Sequence, residues 1–429
     1  MKKLKFWLLQ ILIVIMSYSS VNTFAACRST GVSQTEDGRT APIRFGTVNL
    51  TSTYLQPVGT LLAKTIVPPT DYTYGGATAT SVLWECDAAD LPNIQFLVAT
   101  NGDDRVGGYW DLGAQDGLSD VYATFFRYIG IKQTMDGVVL TRYWKSLPVR
   151  NYVTVGNKIQ IRLQDLPTLY AELYRISQIP SAGLNNYCGA GSSGTIATGP
   201  YSCTQPNAYI QLKGPGLTSD NVGQDSATNY LFWGVDNGFG YGMRLGNQLW
   251  NEPTCVARNA TPLVLFNTMT VEALNQGQST QAQFNVSIEC SNQAVSGTAS
   301  KQTAIGIQAS EGAYTAAKQL GLVNAENGVK ALLSDQYGSN GIAKGVGIFL
   351  RNSTTGTDMN FVGQPSLPGT GASNAGWYPY KDGAIANGSV QAGYTQYLQN
   401  YTAILKKLDG QTVEAGKVYA TAYVLVKVQ

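Results

Sequence analysis

Along residues 416–429, GKVYATAYVLVKVQ, apolar side chains fall on every second position: Val418, Ala420, Ala422, Val424, Val426 and Val428. The positions between them hold Tyr419, Thr421, Tyr423 and Leu425, so the second face is also largely apolar or aromatic. Period-two alternation rich in β-branched residues predicts a strand. Such a strand needs cover on both faces and a neighbour along each edge, because an open apolar edge invites aggregation. The same period recurs upstream. VYATFFRYIGIKQTMDGVVLTRYW (121–144) reads as two alternating runs joined through Met135-Asp136-Gly137, and Asp-Gly is a strong hairpin signal. NKIQIRLQDL places Ile159, Ile161 and Leu163 on one face. Helical periodicity is nearly absent before Trp250, and this part of the chain predicts one β-sandwich of a size that all-β domains reach.

After LWNEPTC (249–255) the predicted strands lengthen: TPLVLFNTMTVEAL, QAQFNVSIEC, TAIGIQAS, KGVGIFLRN, YTQYLQNYTAIL and the terminal run. SEGAYTAAKQLGL and AENGVKALLSDQYG each suit a short helix or a loop, and GQPSLPGTGASNAG (363–376) predicts a loop. The strand count predicts a second sandwich of immunoglobulin type. The expected fold class is therefore all-β, with two β-sandwich domains at 26–250 and 251–429. Residues 1–25 read as a secretory signal peptide: Lys2, Lys3 and Lys5 precede an apolar run from Phe6 to Met16, and small residues follow at Ala25 and Ala26. That run falls short of the roughly 20 residues a membrane helix needs.

Export implies an oxidising compartment, where the six cysteines Cys27, Cys86, Cys188, Cys203, Cys255 and Cys290 predict three structural disulfides. Many connectivities satisfy that count; sequence order favours Cys27–Cys86, Cys188–Cys203 and Cys255–Cys290. Reading FAAC as a lipoprotein site at Cys27 would strand an odd number of cysteines. Charged residues make up 13% of the chain, the net charge is +2 and no basic stripe appears, so no nucleic acid partner is expected. With no histidine, Ser-His-Asp and Cys-His arrangements and imidazole metal ligands are excluded. No cofactor and no metal are expected, since nucleotide-binding glycine motifs and CxxC pairs are both missing. A glycosidase needs only two carboxylates, so composition leaves that class open.

Cys255 leading an apolar strand, then Phe284-x-Val286-x-Ile288-x-Cys290, then Gly345-Val346-Gly347-Ile348, then Gly416 heading the terminal run, together resemble the pilin domain of chaperone–usher fimbriae. The resemblance covers about residues 251–429. The penultimate tyrosine common in that family is here Val428. The resemblance implies an incomplete immunoglobulin-like pilin fold that lacks its last strand and leaves an apolar groove beside Val418, Ala420, Ala422, Val424, Val426 and Val428. It implies that a periplasmic chaperone fills the groove, and that the extension of an adjacent fimbrial subunit replaces it at the outer-membrane usher. Cys27 follows the signal almost at once, so the chain is expected to accept a strand and to donate none. Such a subunit caps a fibre. The resemblance thus implies a non-enzymatic two-domain tip adhesin, exported through the periplasm to the fimbrium tip at the bacterial surface, whose N-terminal domain binds a host glycan or glycoprotein. A non-adhesive capping subunit and a secreted glycan-active enzyme are the alternatives.

No family motif marks a ligand site, so residue chemistry has to locate it. Sugars favour carboxylates and amides beside an aromatic face. ATNGDDRVGGYWDLG (99–113) gathers Asn101, Asp103, Asp104, Arg105, Tyr109, Trp110 and Asp111 between glycines, in what reads as a loop. A solvated turn with a core Trp110 is the structural alternative. YLFWGVDNGFGYGMRLGN (230–247) is a second candidate through Trp233, Asp236, Asn237, Tyr241 and Arg244, although aromatics at alternating spacing are more often core. Asp103 and Asp104 lack the ligand spacing of a calcium loop.

Overall fold

The Asp-Gly signal resolves into a hairpin in the computed structural model, which describes residues 26–32, 38–181, 188, 194–233, 237–363 and 372–429. Strand Ile129–Met135 turns through Asp136 and Gly137 into Val138–Val139. Both turn residues have positive φ, 47° and 79°, which aspartate tolerates and glycine adopts freely. Ile129–Met135 pairs with Leu169–Arg175, and that strand pairs in turn with Leu61–Val67. Their alternate residues Ile129, Ile131, Leu169, Ala171 and Leu173 enter one core, which Ile159, Ile161 and Leu163 join from strand Lys158–Arg162 and the turn after it.

Up to Trp250 the described chain forms four sheets around that core, where a single two-sheet sandwich was expected. Register shifts interrupt the ladders at Ile161/Arg162 and Leu173/Tyr174. Two parallel pairings also bring Ala41–Pro42 and Gly46–Asn49 beside Gly238–Gly242 and Asn247–Trp250, which lie far away in the chain. The expected scarcity of helix holds: the described helical turns in this part are short 3₁₀ or π segments.

From Cys255 onward a second core forms between two facing sheets. One sheet runs in the order Cys255–Ala260, Thr280–Ser291, Tyr394–Lys407, Val346–Asn352, Asp358–Met359. The other contains Gly328–Val329, Phe361–Val362, Thr303–Ala309 and Trp377–Pro379, with the terminal strand Ala422–Val428 laid on Thr303–Ala309. Of the two ambiguous segments, the first holds helix Glu311–Gln319, capped by Ser310, whose side chain accepts from the Ala313 N–H. The second is not helical and contributes strand Gly328–Val329. The predicted strand at 261–274 is not one: residues 261–270 form no strand, and the short helix Val271–Asn275 follows, capped by Thr270. Part of the glycine-rich loop, 364–371, lies outside the described residues. The disulfides are Cys27–Cys86, Cys188–Cys203 and Cys255–Cys290.

Candidate functional site

The terminal strand has one partnered edge. Its register on Thr303–Ala309 runs from Thr303 opposite Val428 to Ala309 opposite Ala422. Among the described residues no strand pairs with its other edge. Cys255–Ala260 approaches it without pairing, and from 262 through 269 the chain is unpaired. In that segment Val264, Phe266 and Met269 lean on the second core, while Leu263 and Leu265 are 67% and 74% exposed. Val418, Ala420, Val424 and Val426 lean on the same core and stay partly exposed; Val428 is buried and Ala422 is exposed. Leu425 points the other way, into a small cluster with Ala304, Val362 and Trp377. The result is an apolar groove whose borders share one core and whose backbone edge is free to hydrogen-bond.

Residues upstream of the terminal strand are held firmly. The Asp335 N–H donates to the Tyr419 carbonyl at 2.9 Å, and the Ala343 N–H donates to the Lys417 carbonyl at 2.9 Å. The Asp335 carboxylate accepts from the Thr421 N–H at 2.9 Å, from the Thr421 hydroxyl at 2.6 Å and from Ser310 Oγ at 2.6 Å. One carboxylate thus ties the helix cap at Ser310 to the start of the groove wall. Hydrogen bonds to a charged group are worth about 1.5–3 kcal/mol each. Asp335→Ala is expected to lower stability by about 2–3 kcal/mol in chemical denaturation of the strand-complemented protein, whereas Asp335→Asn keeps part of that loss back.

The stretch at 99–113 is not an open loop. Asn101, Asp104 and Arg105 are buried. Asn101 Nδ2 donates to the Pro206 carbonyl at 3.0 Å, Asp104 Oδ1 accepts from the Val106 N–H at 2.8 Å, and Arg105 reaches the Ser181 carbonyl. These three side chains frame the fold, and burial withdraws them from any ligand. Asp103, Tyr109, Trp110 and Asp111 keep partial solvent access. Asp111 is occupied by the N–H groups of Ala114, Asp120 and Val121, and burial raises its pKa despite them. Trp110 packs on the cluster of Leu112, Val121, Ala123 and Ile176. Tyr109 faces outward under Arg142, whose guanidinium lies 4.3 Å from its ring centre and 2.9 Å from Asp225.

The second stretch divides as well. Tyr241 is fully buried and Asn237 is buried, Arg244 is half-exposed, and Trp233 is exposed beside Tyr209. Asp236 lies outside the described residues. The Tyr241 hydroxyl donates to the Pro167 carbonyl at 2.7 Å, and burial pushes its pKa well up. Pro167 belongs to a cleft that sequence reasoning missed. This cleft, about 240 Å³, is walled by Asp136 at the hairpin tip, by Pro148, Arg150 and Asn151, by Gln164–Thr168, and by Tyr170. Its lining comes from four separated segments, and the one advance signal was the Asp-Gly turn.

Residues 245–429 match the fimbrial protein family. The carboxyl-terminal region is a fimbrial protein domain. No protein of curated function matches the chain by sequence. Among solved structures the chain is similar to the P pilus rod subunit PapA, with 16% identity, 41% of this chain and 99% of that one covered, and a TM-score of 0.24. It is also similar to the CupB6 tip adhesin from Pseudomonas aeruginosa (14% identity, 94% and 95% covered, TM-score 0.25). A third is a chain of the CsuC–CsuE chaperone–tip adhesion subunit complex of Acinetobacter baumannii (14%, 94% and 100%, 0.19).

A buried carboxylate lies among the contacts between the fimbrial domain and the preceding region. Glu289, 2% exposed, accepts from Tyr54 Oη at 2.8 Å, from Arg258 Nε at 2.8 Å and from Ser389 Oγ. The Tyr54 ring packs 4.7 Å from Tyr394. Tyr394 Oη lies 2.8 Å from Ser52 Oγ, and Arg258 also donates to the Tyr54 carbonyl at 3.2 Å.

Proposed function

We propose that the chain is the adhesive tip subunit of a chaperone–usher fimbria, with residues 26–250 binding a host glycan or glycoprotein and residues 251–429 anchoring them to the fibre. The observation that carries this reading is the free backbone edge of Ala422–Val428 beside the unpaired, apolar segment at 262–269. An extended peptide from another chain fits such an edge, since backbone hydrogen bonds supply affinity and alternate side chains fill the groove. The periplasmic chaperone supplies that peptide first, and the adjacent fimbrial subunit supplies it after passage through the outer-membrane usher. Exchange leaves the chain at the fimbrium tip on the bacterial surface, in a non-enzymatic role. The large region ahead of the fimbrial domain supports the adhesive part. Cys27 at its start is locked to Cys86 and the next two residues pair with strand Val82–Asp87, so this end is committed to a folded core.

Two substitutions in the groove wall, Val424→Asp and Val426→Asp, put charge where apolar side chains are needed. The expected result is loss of chaperone co-purification and of incorporation into fimbriae, and loss of adherence to host cells by bacteria carrying the variant. Full incorporation of the doubly substituted chain would overturn the strand-acceptor reading. Normal incorporation of wild-type chain whose deletion leaves adherence unchanged would instead favour a non-adhesive cap.

A further inference from the structure

The cleft beside Tyr170 has the chemistry of a small binding site. Among the described residues, the side chains of Asp136, Arg150, Asn151 and Gln164 make no hydrogen bond or ion pair with protein, although all four face one cavity. Tyr170, 49% exposed, lines the same mouth. Asp165 also lines the cleft, but Arg162 holds both of its oxygens, at 2.8 and 2.9 Å. The floor is fixed: Phe96 and Leu166 are buried there, and Tyr241 anchors Pro167 from the core side. The positive φ of Asp136 sets its carboxylate on the tip of a rigid two-residue turn. The site is therefore a preformed concavity with free polar groups on its rim.

From these features we infer that the cleft takes one neutral pyranose ring of a host saccharide. This inference rests on the adhesive reading given above. The donor and acceptor inventory matches vicinal hydroxyls, which both donate and accept: a carboxylate accepts, a guanidinium donates, and two amides do both. Tyr170 supplies an aromatic surface for the C–H face of the ring. Charge decides between sugar classes. Asp165 is neutralised by Arg162, and Asp136 and Arg150 offset each other, so nothing at the mouth favours an acidic sugar over a neutral one. Size limits the extent of contact, because 240 Å³ lies below the roughly 300–1,000 Å³ of pockets for drug-sized ligands.

The test uses the full chain in complex with its chaperone, probed on an array of glycans ending in galactose, glucose, mannose, fucose or N-acetylhexosamine, with sialylated glycans alongside. Wild-type protein is expected to bind a neutral-ended subset. Asp136→Asn and Tyr170→Ala are each expected to weaken that binding by about tenfold or more, equivalent to about 1.4 kcal/mol. Both sites are exposed, so thermal midpoints should not move, and Val155→Thr, on an exposed strand end, serves as the control that binds like wild type. Undiminished neutral-glycan binding by both variants overturns the cleft assignment and leaves the adhesive reading standing. Binding confined to sialylated glycans overturns the assignment to neutral sugars. Deletion of the chain without effect on bacterial adherence overturns the adhesive reading, and the cleft with it.

Discussion

Expressed without a partner strand, the chain is expected to aggregate, and a peptide of alternating valine, isoleucine and leucine joined after Gln429 by a short flexible loop is expected to yield a soluble monomer. The groove sets the size of this effect. Val264, Phe266, Val424 and Val426 sit on the second core with part of each surface still exposed, and a seated strand covers them while burying its own alternate side chains. Each Val or Leu so buried is worth about 1.5–3 kcal/mol, and each new backbone hydrogen bond adds about 1 kcal/mol. Ordering the peptide opposes this by about 1–2 kcal/mol per residue. A surplus of about 3 kcal/mol would raise the thermal midpoint by roughly 6–12 °C for a domain of this size. Register supplies the control, because sliding the alternation by one residue turns every apolar side chain away from the core. The slipped peptide is expected to rescue nothing. If the unaccompanied chain unfolds and refolds reversibly as a monomer, the groove is not an acceptor and the proposed assembly role falls.

How much of this was legible in the sequence depended on how local the cause was. The terminal alternation foretold the strand Ala422–Val428, although the alternating residues 418–421 ahead of it stay outside the strand, and the Asp136-Gly137 pair foretold a hairpin, because both signals are carried by neighbouring residues. The fimbrial domain was legible for the same reason, through motifs in fixed order between Cys255 and Val428. The apolar run Leu263–Phe266 reads as a strand, yet sequence could not say that no strand pairs with it. Burial of Asn101, Asp104 and Arg105 was hidden because it comes from packing against residues such as Ser181 and Pro206, far along the chain. The cleft was hidden most completely: Asp136, Asn151, Gln164 and Tyr170 sit on different strands and turns, and no spacing between them marks a shared cavity.

Glu289→Ala is expected to be among the most damaging single substitutions in the chain, lowering stability by about 2–3 kcal/mol and loosening the joint between the two regions. Removing one member of a buried ion pair leaves the other charge uncompensated, which costs about 3–5 kcal/mol when both are fully buried. Arg258 is one-third exposed, so water recovers part of that loss. The same substitution strands the hydroxyls of Tyr54 and Ser389. Tyr54→Phe separates the two effects, because it deletes the hydroxyl's hydrogen bond to Glu289 across the joint and keeps the Arg258 pair. It is expected to broaden the distance distribution between fluorophores placed on the two regions while leaving unfolding of the fimbrial domain almost unchanged. Acid should act like the alanine substitution. Burial works against the charged carboxylate, but the hydrogen bonds from Ser389, Tyr54 and Arg258 outweigh it and hold the Glu289 pKa below its ordinary value. A depressed folded-state pKa gives stability that is complete above the ordinary glutamate value of about 4.3 and is lost as pH falls through the lower folded value. Denaturation of the strand-complemented protein between about pH 5 and pH 3 should therefore show a steeper loss in wild type than in Glu289→Gln. Parallel pH profiles for the two proteins would mean that the carboxylate charge does not hold this joint.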